Sequence, residues 1–161
     1  MRALSLVCLA WVCLAGACAP ANYLFGFDLT DPGAKNFPDF RRPDILEDAD
    51  VKVEIRPDPT EFKAVAFDIT NKTDAPITVQ WDGISIVGAD RQQRSLKPNA
   101  PVGDIEPGAR LSAVLTPFEL PSVGDAAKFY DNTDFELVVP MMVRGQPREA
   151  RYHLHVKLQK I

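Results

Sequence analysis

The stretch Glu61 to Val87, EFKAVAFDITNKTDAPITVQWDGISIV, decides the fold class. Val65, Phe67 and Ile69 alternate with Ala66 and Asp68, the period of two that sends successive side chains to opposite faces of a strand. Asn71-Lys72-Thr73-Asp74 follows as a turn, because short polar side chains bond their own backbone there. Ile77, Val79 and Trp81 then resume the alternation, with Thr78 and Gln80 between them. Asp82-Gly83 allows two continuations. It is a strong two-residue hairpin signal. The preferred alternative runs the strand on to Val87, with Gly83 as a bulge and the turn at Gly88-Ala89-Asp90. Trp81 is expected to plug the core, and an exposed Trp81 would instead be a stacking site for a ligand.

Outward from this stretch the same pattern repeats. Val51, Val53 and Ile55 alternate with Lys52, Glu54 and Arg56, and Pro57-Asp58-Pro59 stops the run. Gln93 to Leu96 reads as a returning strand, Lys97 to Asp104 as a loop, and Glu106-Pro107-Gly108 as a turn. Leu111, Ala113 and Leu115 mark another strand. Pro117 to Asp134 is irregular, with room for one helical turn at Asp125 to Tyr130. Phe135 to Arg144 and Arg148 to Lys160 form a final hairpin around Gly145-Gln146-Pro147. Pro140 inside that hairpin calls for an edge strand or a bulge, since it cannot donate to a ladder. Seven or eight short strands between Pro/Gly turns predict an all-β fold, an antiparallel β-sandwich of immunoglobulin-like architecture. With 14 Pro against 9 Gly the composition suits a turn-rich β fold.

Residues 19–50 are rich in Pro, Asp and aromatics, unlike a Gly/Ser linker. Tyr23, Phe25 and Phe27 alternate as one face of a short strand would, so this arm is expected to pack back on the domain, the alternative being a partner-binding arm. Pro43 to Asp48 fits one helical turn with Pro in its first position. The chain thus divides into a signal peptide over 1–17, a tether or arm over 18–50 and a sandwich domain over 51–161.

Met1-Arg2 precedes ALSLVCLAWVCLAGA, an apolar run of signal-peptide length rather than a membrane span. Its end, Leu14-Ala15-Gly16-Ala17-Cys18, resembles the lipobox of bacterial lipoproteins. Cys18 matches the cysteine that this family acylates, for instance with palmitate, and that becomes residue one of the mature protein. Ala15 stands where the family usually has a large aliphatic residue, with Leu14 one step further out. The same Ala15-Gly16-Ala17 also fits plain secretion, which would leave a soluble periplasmic or secreted protein. In lipoproteins of Gram-negative bacteria Asp after the cysteine tends to retain the protein at the inner membrane. Ala19-Pro20 here implies the outer membrane, with the domain facing the periplasm. Several acyl chains make a stable anchor where one does not.

All three cysteines lie in the first eighteen residues, so the folded part has neither disulfide nor thiol chemistry. A net charge of −4 gives no basic footprint for nucleic acid. No serine lies in G-x-S-x-G and no phosphate-cradling Gly loop is present. His153 and His155, the only histidines, share one face of the last strand, a spacing that metal sites use. Met141 and Met142 on the partner strand would suit copper. With the loop at Gly145 to Pro147, His153 lies opposite Val139 and His155 opposite Leu137, which puts the methionines roughly 7–16 Å away. Arg151 and Lys157 on the same face would repel a cation, so a solvated outer face is expected. Asp44, Glu47, Asp48 and Asp50 cluster, as do Asp131 and Asp134, but neither group has EF-hand spacing. The expectation is a non-enzymatic envelope lipoprotein without cofactor, held to the membrane at Cys18 and binding another envelope protein. The alternative is a small-ligand or metal-binding periplasmic module using Trp81 or the histidines.

Overall fold

A computed structural model of the chain describes residues 23–39, 42–57, 64–88, 91–99, 103–116 and 134–160. They form eleven strands and one turn of 3₁₀ helix. The strands are β1 (Tyr23–Leu29), β2 (Asp44–Glu47), β3 (Val51–Pro57), β4 (Val65–Asn71), β5 (Ile77–Val79), β6 (Ser85–Val87), β7 (Gln93–Ser95), β8 (Lys97–Pro98), β9 (Arg110–Thr116), β10 (Asp134–Val143) and β11 (Gln146–Lys160). The 3₁₀ turn, Trp81–Gly83, separates β5 from β6. One sheet has the order β1-β11-β10-β6-β7, with β5 also on β10. The other has the order β2-β3-β4-β9-β8. Every pairing is antiparallel. The fold is therefore the expected antiparallel β-sandwich, with more strands than the expected seven or eight.

The alternation sets the core. Val53, Ile55, Phe67, Ile69 and Leu115 project from one sheet and Leu29, Ile77, Leu137, Val139 and Leu154 from the other, all at 1 % exposure or less. Each side chain of this size contributes roughly 1.5–3 kcal/mol by leaving water. Phe67 meets Tyr152 across the layer at a centroid distance of 6.2 Å.

The extra strands come from segments that read as tether or loop. β1 pairs along its whole length with β11, from Tyr23↔Lys160 to Leu29↔Leu154, and β2 pairs with β3. Both strands lie N-terminal to the boundary drawn at residue 51, so the sandwich takes in part of the arm. Asp44–Glu47 is a strand where a helical turn was expected. A single isolated turn gains little, whereas pairing with β3 occupies the backbone groups of both strands. Lys97–Pro98, read as loop, pairs with Thr116 and Leu115 of β9 and carries the chain from one sheet to the other.

The stretch after Val79 continues in one direction, as preferred over a hairpin at Asp82-Gly83. Both β5 and β6 lie on β10, and the 3₁₀ turn takes the place of a one-residue bulge. The final hairpin is tighter than read. Its loop is Arg144-Gly145, both with positive φ (50° and 72°), the two-residue form that matches strand twist. The β10–β11 register moves accordingly. His153 lies opposite Glu136 rather than Val139, and His155 opposite Asp134 rather than Leu137. The expected helical turn at Asp125 to Tyr130, Asp131, and the apolar run with Cys18 lie outside the described residues.

Candidate functional site

The outward face of β11 carries Arg151, His153, His155 and Lys157, while Tyr152, Leu154 and Val156 are buried behind it. Each of the four outward groups has an acidic partner. Arg151 bonds Glu136 at 2.8 Å and also Glu149. His153 Nδ1 lies 2.8 Å from Asp31, His155 Nδ1 lies 2.7 Å from Asp134, and Lys157 meets Asp28. Asp31 follows β1 and Asp134 opens β10, on opposite sides of β11. The two imidazoles are drawn apart, so the His-x-His spacing does not produce a chelating pair. Met141 and Met142 lie five to eight residues along β10 from the positions facing the histidines, about 16–26 Å. Met141 is buried. Among the described residues no three His, Cys, Asp or Glu side chains converge on a point that would hold a metal ion.

The turn-bearing end of the sandwich is knit by charge. Arg148 at the start of β11 reaches across to Asp48 and Asp50 of the β2–β3 turn, and Arg144 lies 3.3 Å from Asp50 and 3.5 Å from Asp74. Lys72 pairs with Glu47 at 2.9 Å and donates to the Asp48 carbonyl at 2.6 Å. Burial works to raise the Asp48 pKa, but the Arg148 guanidinium and the amides of Val51 and Asp50 outweigh it and hold the carboxyl below its ordinary value. Asn71, fully buried, joins the neighbouring loops. Its Nδ2 donates to the carbonyls of Ala75 (2.8 Å) and Ile105 (2.7 Å), and its Oδ1 accepts from the Thr73 amide (2.8 Å). The acidic cluster noted in the sequence is thus mostly paired: Glu47, Asp48 and Asp50 hold cations, and Asp44 is buried elsewhere.

Trp81 is 8 % exposed and belongs to the core, so it is not a stacking platform. An open recess of about 520 Å³ lies beside it, lined by Val79, Gln80, Trp81, Asp82, Lys97 and Pro98. The indole Nε1 has no hydrogen-bond partner, but it is buried and so shielded from this recess. Phe27 is also buried in the core, and the side chains of Tyr23 and Phe25 lie outside the described part of the structure.

On the other flank, Asp44 stands where the two sheets' edge strands meet. Its residue is 3 % exposed. One carboxylate oxygen accepts from the Leu29 amide of β1 at 3.1 Å and the other from the Phe37 amide at 3.2 Å. Burial, assisted by the nearby Asp28 charge, pushes the Asp44 pKa up to about 6 despite these hydrogen bonds and the opposing Lys157 charge. The sequence places Asp44 in the acidic cluster, but nothing local marks its burial at this seam. Its partners are fifteen and seven positions away.

No protein-family model matches the chain, and no curated protein matches it. Among solved structures the chain is similar to Northeast Structural Genomics Consortium target SoR45, at 7 % identity and a TM-score of 0.35 over 85 % of each chain. It is also similar to the GAE domain of GGA2p from Saccharomyces cerevisiae, at 11 % identity and a TM-score of 0.30 over 73 % of this chain and 95 % of that one. Neither likeness bears on activity.

Proposed function

We propose that this chain is a lipid-anchored envelope protein whose β-sandwich binds another envelope protein as an adaptor or assembly module, without catalysing a reaction. The observation that carries the reading is a distance along the chain. Cys18, the residue matching the acylated cysteine of the lipobox, stands five residues before Tyr23, where β1 begins. Five residues span at most about 18 Å when fully extended. An acylated Cys18 therefore holds the Tyr23–Lys160 end of the sandwich against the membrane. The opposite end carries the turns at Asp48–Asp50, Asn71–Ala75 and Arg144-Gly145, tied together across the sheets by Arg144 and Arg148. That end is the part of the fold presented to a partner in the periplasm. Ala19-Pro20 after the cysteine favours the outer membrane.

Mass analysis of the mature N-terminus, beside in-cell cross-linking of the native chain and a Cys18→Ala form, tests the reading. Support is an acylated Cys18 together with one envelope protein that is recovered reciprocally and only with the anchored form. An unmodified Cys18 would remove the anchor. Failure to recover a partner from either form would remove the adaptor role and turn attention to the recess beside Trp81.

A further inference from the structure

β1 and β2 are edge strands of the two sheets, and Asp44 at the start of β2 reaches the end of β1. The outward backbone groups of Leu29, the last residue of β1, are both capped by side chains. Its amide donates to Asp44 and its carbonyl accepts from Asn36 Nδ2 at 2.8 Å. Asp44 simultaneously accepts from Phe37, whose ring lies 3.9 Å from the Arg42 guanidinium carbon. Lys35 and Ile45 bond each other's backbones and complete the seam. A single buried carboxyl therefore bridges the end of β1, the connecting loop and the start of β2.

We propose that Asp44 is a pH-responsive latch on the seam between β1 and β2, tightening as the pH falls and loosening as it rises. The direction follows from burial. In the closed seam the carboxylate is withdrawn from water, which favours its protonated form, and opening the seam returns it to water, where the charged form is at ease. Protons bind the closed state more tightly, so acid favours closure. The groups that bear on this carboxyl are Asp28 on β1, which favours protonation, and Lys157 on β11, which opposes it. Lys157 is itself paired with Asp28, so the two largely offset each other. With a closed-state pKa of about 6 against the ordinary 3.8, closure strengthens about tenfold between pH 7.5 and pH 5. On the lipid-anchored reading, and resting on it, the latch grips the strand that leads directly to the anchor. What it then regulates is access to the outward amide of Leu29, which Asp44 caps in the closed seam.

The test is hydrogen exchange at the Leu29 amide in the full chain in detergent, expressed as protection relative to the intrinsic rate at each pH, together with the ¹³C titration of the Asp44 carboxyl. The expected result is protection about tenfold greater at pH 5 than at pH 7.5, with Asp44 titrating near pH 6. In Asp44→Asn, which keeps one acceptor and cannot ionise, the pH dependence at Leu29 should vanish while β10–β11 amides keep their protection. Leu29 protection that does not vary with pH, or an Asp44 titrating at the ordinary carboxylate value, would overturn the latch. If the variant does not fold, the wild-type chain decides, because Leu29 protection must rise along the same titration curve as the Asp44 carboxyl. None of these readouts involves acylation of Cys18, so loss of the anchor and loss of the latch are seen separately.

Discussion

A methyl group added at Gly83 would come within 2.7 Å of Cγ of Pro140. The two residues define how the largest sheet tolerates a proline in an inner strand. Between the pairs Val79↔Met141 and Ser85↔Val138, two residues of β10 face five of the neighbouring chain. The excess is taken up by the 3₁₀ turn at Trp81–Gly83. The Pro140 carbonyl accepts from Gln80 at 2.9 Å, so the missing Pro140 N–H lies on that same side, where the ladder is interrupted and no bond is lost. The Pro140 ring occupies the space that a side chain at position 83 would need.

Gly83→Ala should therefore destabilise by overpacking, about 1–3 kcal/mol, read as a shift in the urea midpoint at unchanged slope. Pro140→Ala removes the obstacle. In the double variant the cost should fall short of the sum of the two singles by about 1 kcal/mol. Strict additivity would show that the two residues do not press on each other.

Asn71→Ala should be among the costlier polar changes in the chain. The Ala75 carbonyl keeps the Thr73 hydroxyl and the Ile105 carbonyl keeps the Ile77 amide, so the group stranded is the Thr73 amide, at roughly 1–3 kcal/mol, with the two donated bonds lost besides. Asn71→Asp separates donor loss from volume loss, because it keeps the acceptor for Thr73 but loses both donated bonds. Thermal unfolding should rank wild type above both variants. A neutral Asn71→Ala would mean that the loops at this end are held by other contacts.

The sandwich was legible because β5, β9 and β11 each have one buried face, and a half-buried strand writes its alternation into the sequence; β3 and β4 keep the same period although Glu54, Ala66 and Asp68 on their other face are buried too. Trp81 and Phe27 could be placed in the core on the same ground. The edges were less legible. β2 and β8 have four and two residues, too few to establish a period, and they exist because neighbouring strands offer them backbone partners. The hairpin was misread by three positions because Gly145-Gln146-Pro147 looks more like a loop than Arg144-Gly145 does, although a two-residue turn fits the strand twist better. Asp44, Arg148 and the separation of His153 from His155 depend on partners brought together only by the tertiary fold, so no local signal announces them.

Arg148→Ala should loosen the end of the sandwich in a pH-dependent way. Asp48 has its pKa depressed in the fold, so its pairing stabilises the protein above the ordinary carboxylate pKa of 3.8 and is lost as the pH falls through the lower folded value. Because Asp48 and Arg148 are both partly solvated, the cost at pH 7 should be about 1 kcal/mol or less. The difference between variant and wild type should shrink below about pH 4. A difference that stays constant from pH 7 to pH 3 would assign the effect to packing of the arginine stem, not to its charge.

Arg144 occupies a left-handed backbone position, φ 50°, that Asn, Asp or Gly fill more readily. An ordinary side chain there costs roughly 1–2 kcal/mol. In return its guanidinium reaches Asp50 on a turn of the opposite layer and Asp74 on the connection between the layers, at a surface where ion pairs contribute about 0.2–1 kcal/mol and weaken in salt. Arg144→Asn should therefore lie near neutral at low ionic strength and become stabilising, by about 0.5–1 kcal/mol, in 1 M NaCl, where the lost pairs are screened and the easier backbone remains. Gly145→Ala provides the backbone reference. Its φ is 72° and no atom lies within 4 Å of the added methyl, so its cost of about 1 kcal/mol should not change with salt. If Arg144→Asn is destabilising by the same amount at every salt concentration, the arginine is held there by packing and the charge bridge between the two layers is incidental.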